Sequence, residues 1–132
     1  MTPVSTASAT LTATHYLTQL KTGAHAMQAD EPPERGGQDA GPAPYDYVLA
    51  GLGGCTVITL RMYAEHKGWD IGAMHVDLTL LKNKEGATRI DRVLKTNVVL
   101  TEEQWGRLLD IASKTPVTLT LKQGAEIFTE RG

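Results

Sequence analysis

The segment PYDYVLAGLGGCTVITLRMYAEHKG, Pro44 to Gly68, constrains the fold more than any other part of the chain. Tyr45, Val48, Leu49, Leu52, Cys55, Thr59 and Met62 recur at three- and four-residue steps, the spacing of one helix face. Pro44 suits the first helical position, where its missing N–H would have no partner anyway. Lys67 and Gly68 form a C-terminal signal. Ala50, Gly51, Gly53 and Gly54 cover much of the remaining surface. Each glycine costs about 1 kcal/mol relative to alanine inside a helix. Three of them predict a second backbone packed very close, such as that of another copy. Cys55 is the chain's only cysteine and lies on the apolar stripe. On periodicity alone it reads as a small packed side chain, as most free cysteines are.

The flanking segments are extended. TASATLTATHYLTQL, residues 6–20, is rich in Thr with aromatic and aliphatic residues and predicts a strand. KTG at 21–23 predicts a hairpin turn and AHAMQA the return strand. DEPPERGGQDAGPAP, residues 30–44, is a loop by its Pro, Gly and Asp content. After the helix, AMHVDLTLLKN alternates, with Met74, Val76, Leu78 and Leu80 on one face and His75, Asp77 and Thr79 on the other. NKEG predicts a turn, and TRIDRVLKTNVVL a partner strand with Ile90, Leu94, Val98 and Leu100 on one face. TEEQWGRLLDIASK predicts a second helix opened by a Thr101/Gln104 capping box, with Trp105, Leu108, Leu109 and Ala112 as its stripe. TLTLKQGAEIFTE predicts a last short hairpin around Gln123–Gly124. The order ββ-α-ββ-α-ββ, with strands in hairpins, implies antiparallel sheets and an α+β class. With 132 residues, the chain is expected to form one domain, 1–132.

Several functions are disfavoured. The net charge of −2 gives no basic surface for nucleic acid. A single cysteine leaves no intrachain disulfide. No apolar run is read as long enough for a membrane span, and MTPVSTASATLTATHYL lacks a basic start, so a cytoplasmic protein is expected. His15, His25, His66 and His75 show no metal-ligand spacing, and GLGG lies within a helix rather than between strand and helix. Neither a metal nor another cofactor is expected.

The block DEPPERGGQDAGPAPYDYVLAGLGGCTVITLRMYAEHKGW combines D-E-P, G-G, G-P-x-P-Y and G-G-C-T followed by T-L-R-M-Y-A-E-x-K. With the strand hairpins and the later K-T-P-V, it resembles the OsmC/Ohr superfamily of osmotically induced and organic hydroperoxide resistance proteins. The resemblance covers nearly the whole chain. It implies an intertwined homodimer, with strands wrapped around paired central helices. It also implies a thiol-dependent hydroperoxide reductase. In such enzymes a peroxidatic cysteine becomes a sulfenic acid, and a second cysteine condenses with it to a disulfide. An external thiol then reduces that disulfide.

Carried over by position, the resemblance makes Cys55 the peroxidatic residue. It puts Asp46 where many members have a glutamate, and Thr115 where the resolving cysteine belongs. A hydroxyl cannot form a disulfide, so this chain would need an external thiol to resolve Cys55. No arginine precedes Arg35 in the first strands, where the Ohr-type pattern has one, so Arg35 is the candidate cation. Arg61 lies about 240° round the helix from Cys55 at ideal spacing, and Asp46 about 180° away. Asp46 also reads as an N-terminal capping residue. The catalytic candidates are therefore Cys55, Asp46 and Arg35, with Tyr45, Thr59 and Thr115 as binding candidates. The alternative function is a non-enzymatic dimer holding a small apolar or oxidised ligand, with Cys55 as lining.

Overall fold

Helix α1 spans Pro44–Lys67 and organises a computed structural model that describes all residues, 1–132. The fold is α+β with antiparallel strands, in the order β1 (Ser8–Leu11), β2 (Thr18–Thr22), β3 (His25–Ala29), α1, β4 (His75–Lys82), β5 (Thr88–Lys95), α2 (Glu102–Ala112) and α3 (Pro116–Gln123). Two compact units are distinguished, residues 1–48 and 49–132; α1 starts in the first and opens the second.

In the first unit, β1, β2 and β3 form an antiparallel sheet in sequence order. The β2–β3 turn falls where KTG predicts it. Thr22 pairs with His25, and Gly23 takes the left-handed conformation, φ 57°, that a tight hairpin turn demands. The single strand expected over residues 6–20 divides into β1 and β2. The Thr12 hydroxyl donates to Leu17 O at 2.7 Å and accepts from Thr14 N–H at 3.2 Å. Such local bonds compete with a continuous ladder. The loop after β3 is gathered by Asp30. Its buried carboxylate accepts N–H groups from Glu31 at 2.8 Å and from Gln38 and Ala40 at 3.1 Å.

In the second unit, β4 and β5 form a two-stranded ladder in which Val76, Leu78 and Leu80 face Leu94, Arg92 and Ile90. The inward side chains alternate with exposed ones, as expected. The core gathers Leu60 and Ala64 of α1, Ile71, Leu100, and Leu108 and Ala112 of α2. α1 ends as its sequence predicts. Gly68 adopts φ 70°, Trp69 N–H reaches Ala64 O at 2.8 Å, and Gly68 N–H reaches Glu65 O at 3.2 Å. These are the paired bonds of a Schellman cap. The Thr101/Gln104 capping box of α2 also forms, with both reciprocal bonds present at 2.9 and 3.0 Å.

Four expectations are corrected. First, the buried line of α1 runs through Leu52, Gly53, Thr56, Leu60 and Ala64, while Tyr45, Val48 and Met62 are exposed. The helix is apolar on more than one side, so its pattern left the phase open. Leu109 of α2 is likewise exposed, and half-buried Ile111 packs against the core instead. Second, the glycines do not share one role. A Cβ on Gly53 would lie 2.9 Å from Leu78 Cδ1, whereas Gly51 and Gly54 would meet no atom of this chain. Third, the last hairpin is absent: residues 116–123 form α3 and 124–132 no regular structure. Thr115 caps that helix, Pro116 sits in its first turn, Lys122 in its last, and Gly124 just past its end. Together these override the alternation of TLTL. Fourth, α1 does have the length and hydropathy of a membrane span, with 24 residues and an 18-residue window of mean hydropathy 1.3. The core helix of a globular fold can meet that measure too, and one face of this helix is buried in packing.

Candidate functional site

Cys55 is half-buried on α1, one residue before the buried Thr56 and one turn before Thr59. Its sulfur lies 3.8 Å from Thr59 Oγ1. The start of α3 faces it from another direction. There Thr115, with extended backbone and its side chain buried, is the N-cap, and its hydroxyl accepts Thr118 N–H at 3.4 Å. With Pro116 supplying no N–H, Val117 offers the next free amide of the helix start. The Val117 N–H and the Thr115 hydroxyl, at the start of this helix, favour the charged form of the Cys55 thiol.

Arg92 supplies the cation. It lies on the inward face of β5, opposite Leu78. Because Gly53 has no side chain, Leu78 packs directly on α1, and this brings the ladder close to the helix. One guanidinium nitrogen, Nη1, donates to Thr56 Oγ1 at 2.9 Å and to Thr118 Oγ1 at 3.0 Å. The other, Nη2, donates to Ala112 O at 3.0 Å, at the end of α2. One side chain thus ties α1, α2 and α3 together beside the thiol. Thr56 passes its own proton to Leu52 O at 2.7 Å, and the hydroxyls of Thr115 and Thr118 stand 2.6 Å apart.

Burial is the strongest single influence on the Cys55 thiol and pushes its pKa up. The Val117 N–H, the Thr115 and Thr59 hydroxyls and the Arg92 charge oppose it, and together they hold the pKa below that of an ordinary thiol. Burial pulls the Arg92 guanidinium down, and the Cys55 charge pushes it back. Arginine nonetheless stays protonated, so it serves as a fixed positive charge. A cysteine beside a cation and a helix N-terminus is the arrangement that favours thiolate.

Of the residues singled out in the sequence, Cys55, Thr59 and Thr115 come together in the second unit. Arg35, Asp46 and Tyr45 belong to the first. Arg35 ends a 3₁₀ turn, Pro33–Arg35, and is exposed. The Asp46 carboxylate accepts Ala43 N–H at 2.9 Å, a capping bond at the start of α1. Tyr45 is exposed beside it. Sequence reasoning missed Arg92, Thr118 and the Val117 amide. Arg92 did leave a signal: it falls in phase between Ile90 and Leu94 on the apolar face of its strand.

The family model for OsmC-like protein matches residues 36–130. The chain belongs to the OsmC-like family. Solved structures share the fold at low identity. An OsmC-like protein from Mycoplasma pneumoniae has a TM-score of 0.74 at 17% identity, covering 92% of this chain and 89% of that one. An organic hydroperoxide resistance protein OsmC from Legionella pneumophila has a TM-score of 0.67 at 17% identity, covering 92% and 91%. The organic hydroperoxide resistance protein OhrB of Bacillus subtilis has a TM-score of 0.61 at 19% identity, covering 89% and 90%. No curated protein sequence matches significantly. Within this OsmC-like chain, Thr115 stands among the groups that lower the Cys55 thiol pKa.

Proposed function

We propose that this OsmC-like chain is a hydroperoxide reductase that works through one cysteine, Cys55, and an external thiol. The observation that carries the reading is the setting of Cys55: its sulfur lies 3.8 Å from Thr59 Oγ1, Arg92 is bonded to the adjacent Thr56 at 2.9 Å, and these groups with the start of α3 favour the nucleophilic thiolate. The thiolate attacks the terminal oxygen of an organic hydroperoxide. An S–O bond forms and the O–O bond breaks. Cys55 becomes a sulfenic acid, and the departing alkoxide takes a proton from water to give the alcohol. Thr115 cannot form a disulfide, so an external thiol condenses with the sulfenic acid, releasing water and leaving a mixed disulfide. A second external thiol displaces Cys55 as thiolate and leaves as the external disulfide. Overall, one hydroperoxide and two thiols give an alcohol, water and a disulfide.

The proposed working form is a homodimer, as the resemblance implies. The side of α1 that carries Gly51, Gly54, Ile58 and Met62 supports it: the two larger residues are 54% and 64% exposed, and a Cβ added at either glycine would meet open space. A cytoplasmic location is proposed with it, because the resolving step needs a reducing compartment.

Purified protein mixed with an organic hydroperoxide and a small thiol should consume the peroxide, and Cys55→Ser should abolish that consumption. A sulfenic-acid trap should label the wild type after peroxide treatment and leave Cys55→Ser unlabelled. No consumption with monothiols or dithiols would sink the enzymatic reading and favour a binding role.

A further inference from the structure

The last turns of α1 and one face of α2 frame a cleft that the Cys55 site does not use. Tyr63 and Lys67 stand one turn apart on α1, while Glu103, Gly106, Arg107 and Asp110 fall at the three- and four-residue steps of a single α2 face. With Trp69, just past the end of α1, they line a cleft of about 480 Å³, the size of a small-molecule site. Tyr63 is eight positions beyond Cys55, about 12 Å along an ideal helix, so the cleft is separate from the thiol.

Its aromatic wall is anchored and its helical wall is bare. Tyr63 and Trp69 both pack against the core cluster and meet edge to face, with ring centroids 5.7 Å apart and planes at 75°. Gly106 lies inside α2, where glycine weakens a helix relative to alanine. A Cβ added there would meet no atom within 4 Å, so packing inside the chain does not require the glycine. Its effect is to leave the α2 side of the cleft flat and open.

The charges of the cleft are unmatched. Arg107 Nε donates to the Tyr63 hydroxyl at 2.8 Å, which holds the guanidinium beside the ring and leaves its two terminal nitrogens without an acceptor in the chain. Having accepted that bond, the Tyr63 hydroxyl still has its own proton to give. The Lys67 ammonium lies 5.8 Å from the centroid of the same ring, and neither Lys67 nor Arg107 belongs to any of the chain's ion pairs. Asp110 is paired with Lys114 at 3.2 Å. That leaves Lys67 and Arg107 against Glu103, a balance of one positive charge.

The geometry points to a binding site for a small aromatic carboxylate: Arg107, Lys67 and the Tyr63 hydroxyl donate to the carboxylate, and the ring lies along Gly106 against Trp69. A carboxylate matches the planar fork of a guanidinium and carries the single negative charge that the cleft lacks. A flat apolar body matches a wall without side chains and a fixed aromatic edge. A phosphate ester would bring a second negative charge beside Glu103, and a short aliphatic acid would leave Trp69 uncovered. The site goes beyond the chemistry proposed for Cys55 and does not depend on it.

The test is isothermal titration of the full chain with benzoate at constant ionic strength. Benzoate should bind one site per chain with a Kd on the order of 1 mM, while acetate and benzyl alcohol, which each keep half of the recognition, should bind at least about tenfold more weakly. Arg107→Gln should weaken benzoate about tenfold. Gly106→Leu should abolish binding and keep the helical circular dichroism, because leucine favours a helix and its side chain fills only the cleft. Cys55→Ser should bind as wild type does. No saturable benzoate binding, acetate binding equal to benzoate, or wild-type affinity in Gly106→Leu would overturn the proposal, and so would loss of binding in a folded Cys55→Ser. If Gly106→Leu does not fold, an Arg107→Gln of wild-type affinity overturns it and a weakened one upholds it. Because the readout is binding, a chain that holds benzoate in this way and consumes no hydroperoxide refutes the enzymatic reading alone.

Discussion

Arg92 is the residue on which the site's electrostatics and its packing meet. Its charge helps hold the Cys55 pKa below the ordinary thiol value, while its three donors join Thr56, Thr118 and Ala112. Arg92→Met would keep much of the stem's packing and remove both functions. It should raise the thiol pKa measured by alkylation and cost about 2–3 kcal/mol in urea unfolding, since buried threonine oxygens and a carbonyl lose charged donors. Arg92→Lys should recover part of the thiol shift and little of the stability, because an ammonium lacks the planar fork. The depressed thiol pKa also has a consequence for stability. The folded chain releases the Cys55 proton more readily than the unfolded chain, so this contribution is complete above the unfolded thiol's pKa. It fades as pH falls through the folded one. Wild type should therefore gain stability over Cys55→Ser as pH rises across that window, read as the difference in their urea midpoints. An equal pH response of the two proteins would show that the thiolate is not favoured by folding. At this scale the sequence was half legible. Cys55 stood out through its surrounding motif, and Arg92 showed itself as a charge on an apolar strand face. What Arg92 reaches depends on Leu78 packing against Gly53, a contact between residues far apart in the chain.

Local chemistry fixes the ends of the elements more firmly than their interiors. The start of α2 is an example: Thr101 and Gln104 satisfy each other's backbone donors at 3.0 and 2.9 Å. Thr101→Ala removes the side chain that accepts Gln104 N–H and should cost about 1 kcal/mol, seen as a lower urea midpoint with an unchanged slope. Thr101→Ser should be close to neutral, and an equal loss from serine would mean that the methyl group, not the cap, matters. The same logic explains what was legible among the elements. The end of α1 at Lys67 and the β2–β3 and β4–β5 turns follow from glycines and polar turn residues that act within a few positions. The interior of residues 116–123 was misread because T-L-T-L alternates like a strand. The informative residues lay at its edges, where Thr115 and Pro116 open a helix and Gly124 closes it. The difference bears on function, since residues at the start of α3 lower the Cys55 thiol pKa. The buried phase of α1 could not be read from its own sequence. Leu52, Thr56, Leu60 and Ala64 compete with Val48, Ile58 and Met62 for the inside, and the ladder and α2 decide between them.

For the molecule as a whole, the losing face of α1 carries the remaining prediction. Ile58 and Met62 are more than half exposed, and a side chain added at Gly51 or Gly54 would meet no atom of its own chain. In an isolated chain such glycines would only weaken the helix, by about 1 kcal/mol each relative to alanine. Gly51→Ala and Gly54→Ala would then stabilise the protein. In the proposed homodimer the same positions lie against a second helix, and small residues there let two backbones approach closely. The substitutions would then act in opposite directions, strengthening each helix while separating the pair. Sedimentation velocity at several concentrations should show a dimer for wild type, a weaker dimer for Gly54→Ala, and monomer for Gly54→Leu, whose side chain would fill the space the partner needs. The melting temperature of Gly54→Leu should fall and lose its dependence on protein concentration, because a dimer that folds by association is stabilised by mass action. A wild-type monomer whose Gly51→Ala and Gly54→Ala variants both melt higher would refute the dimer. A dimer indifferent to Gly54→Leu would move its interface off this face.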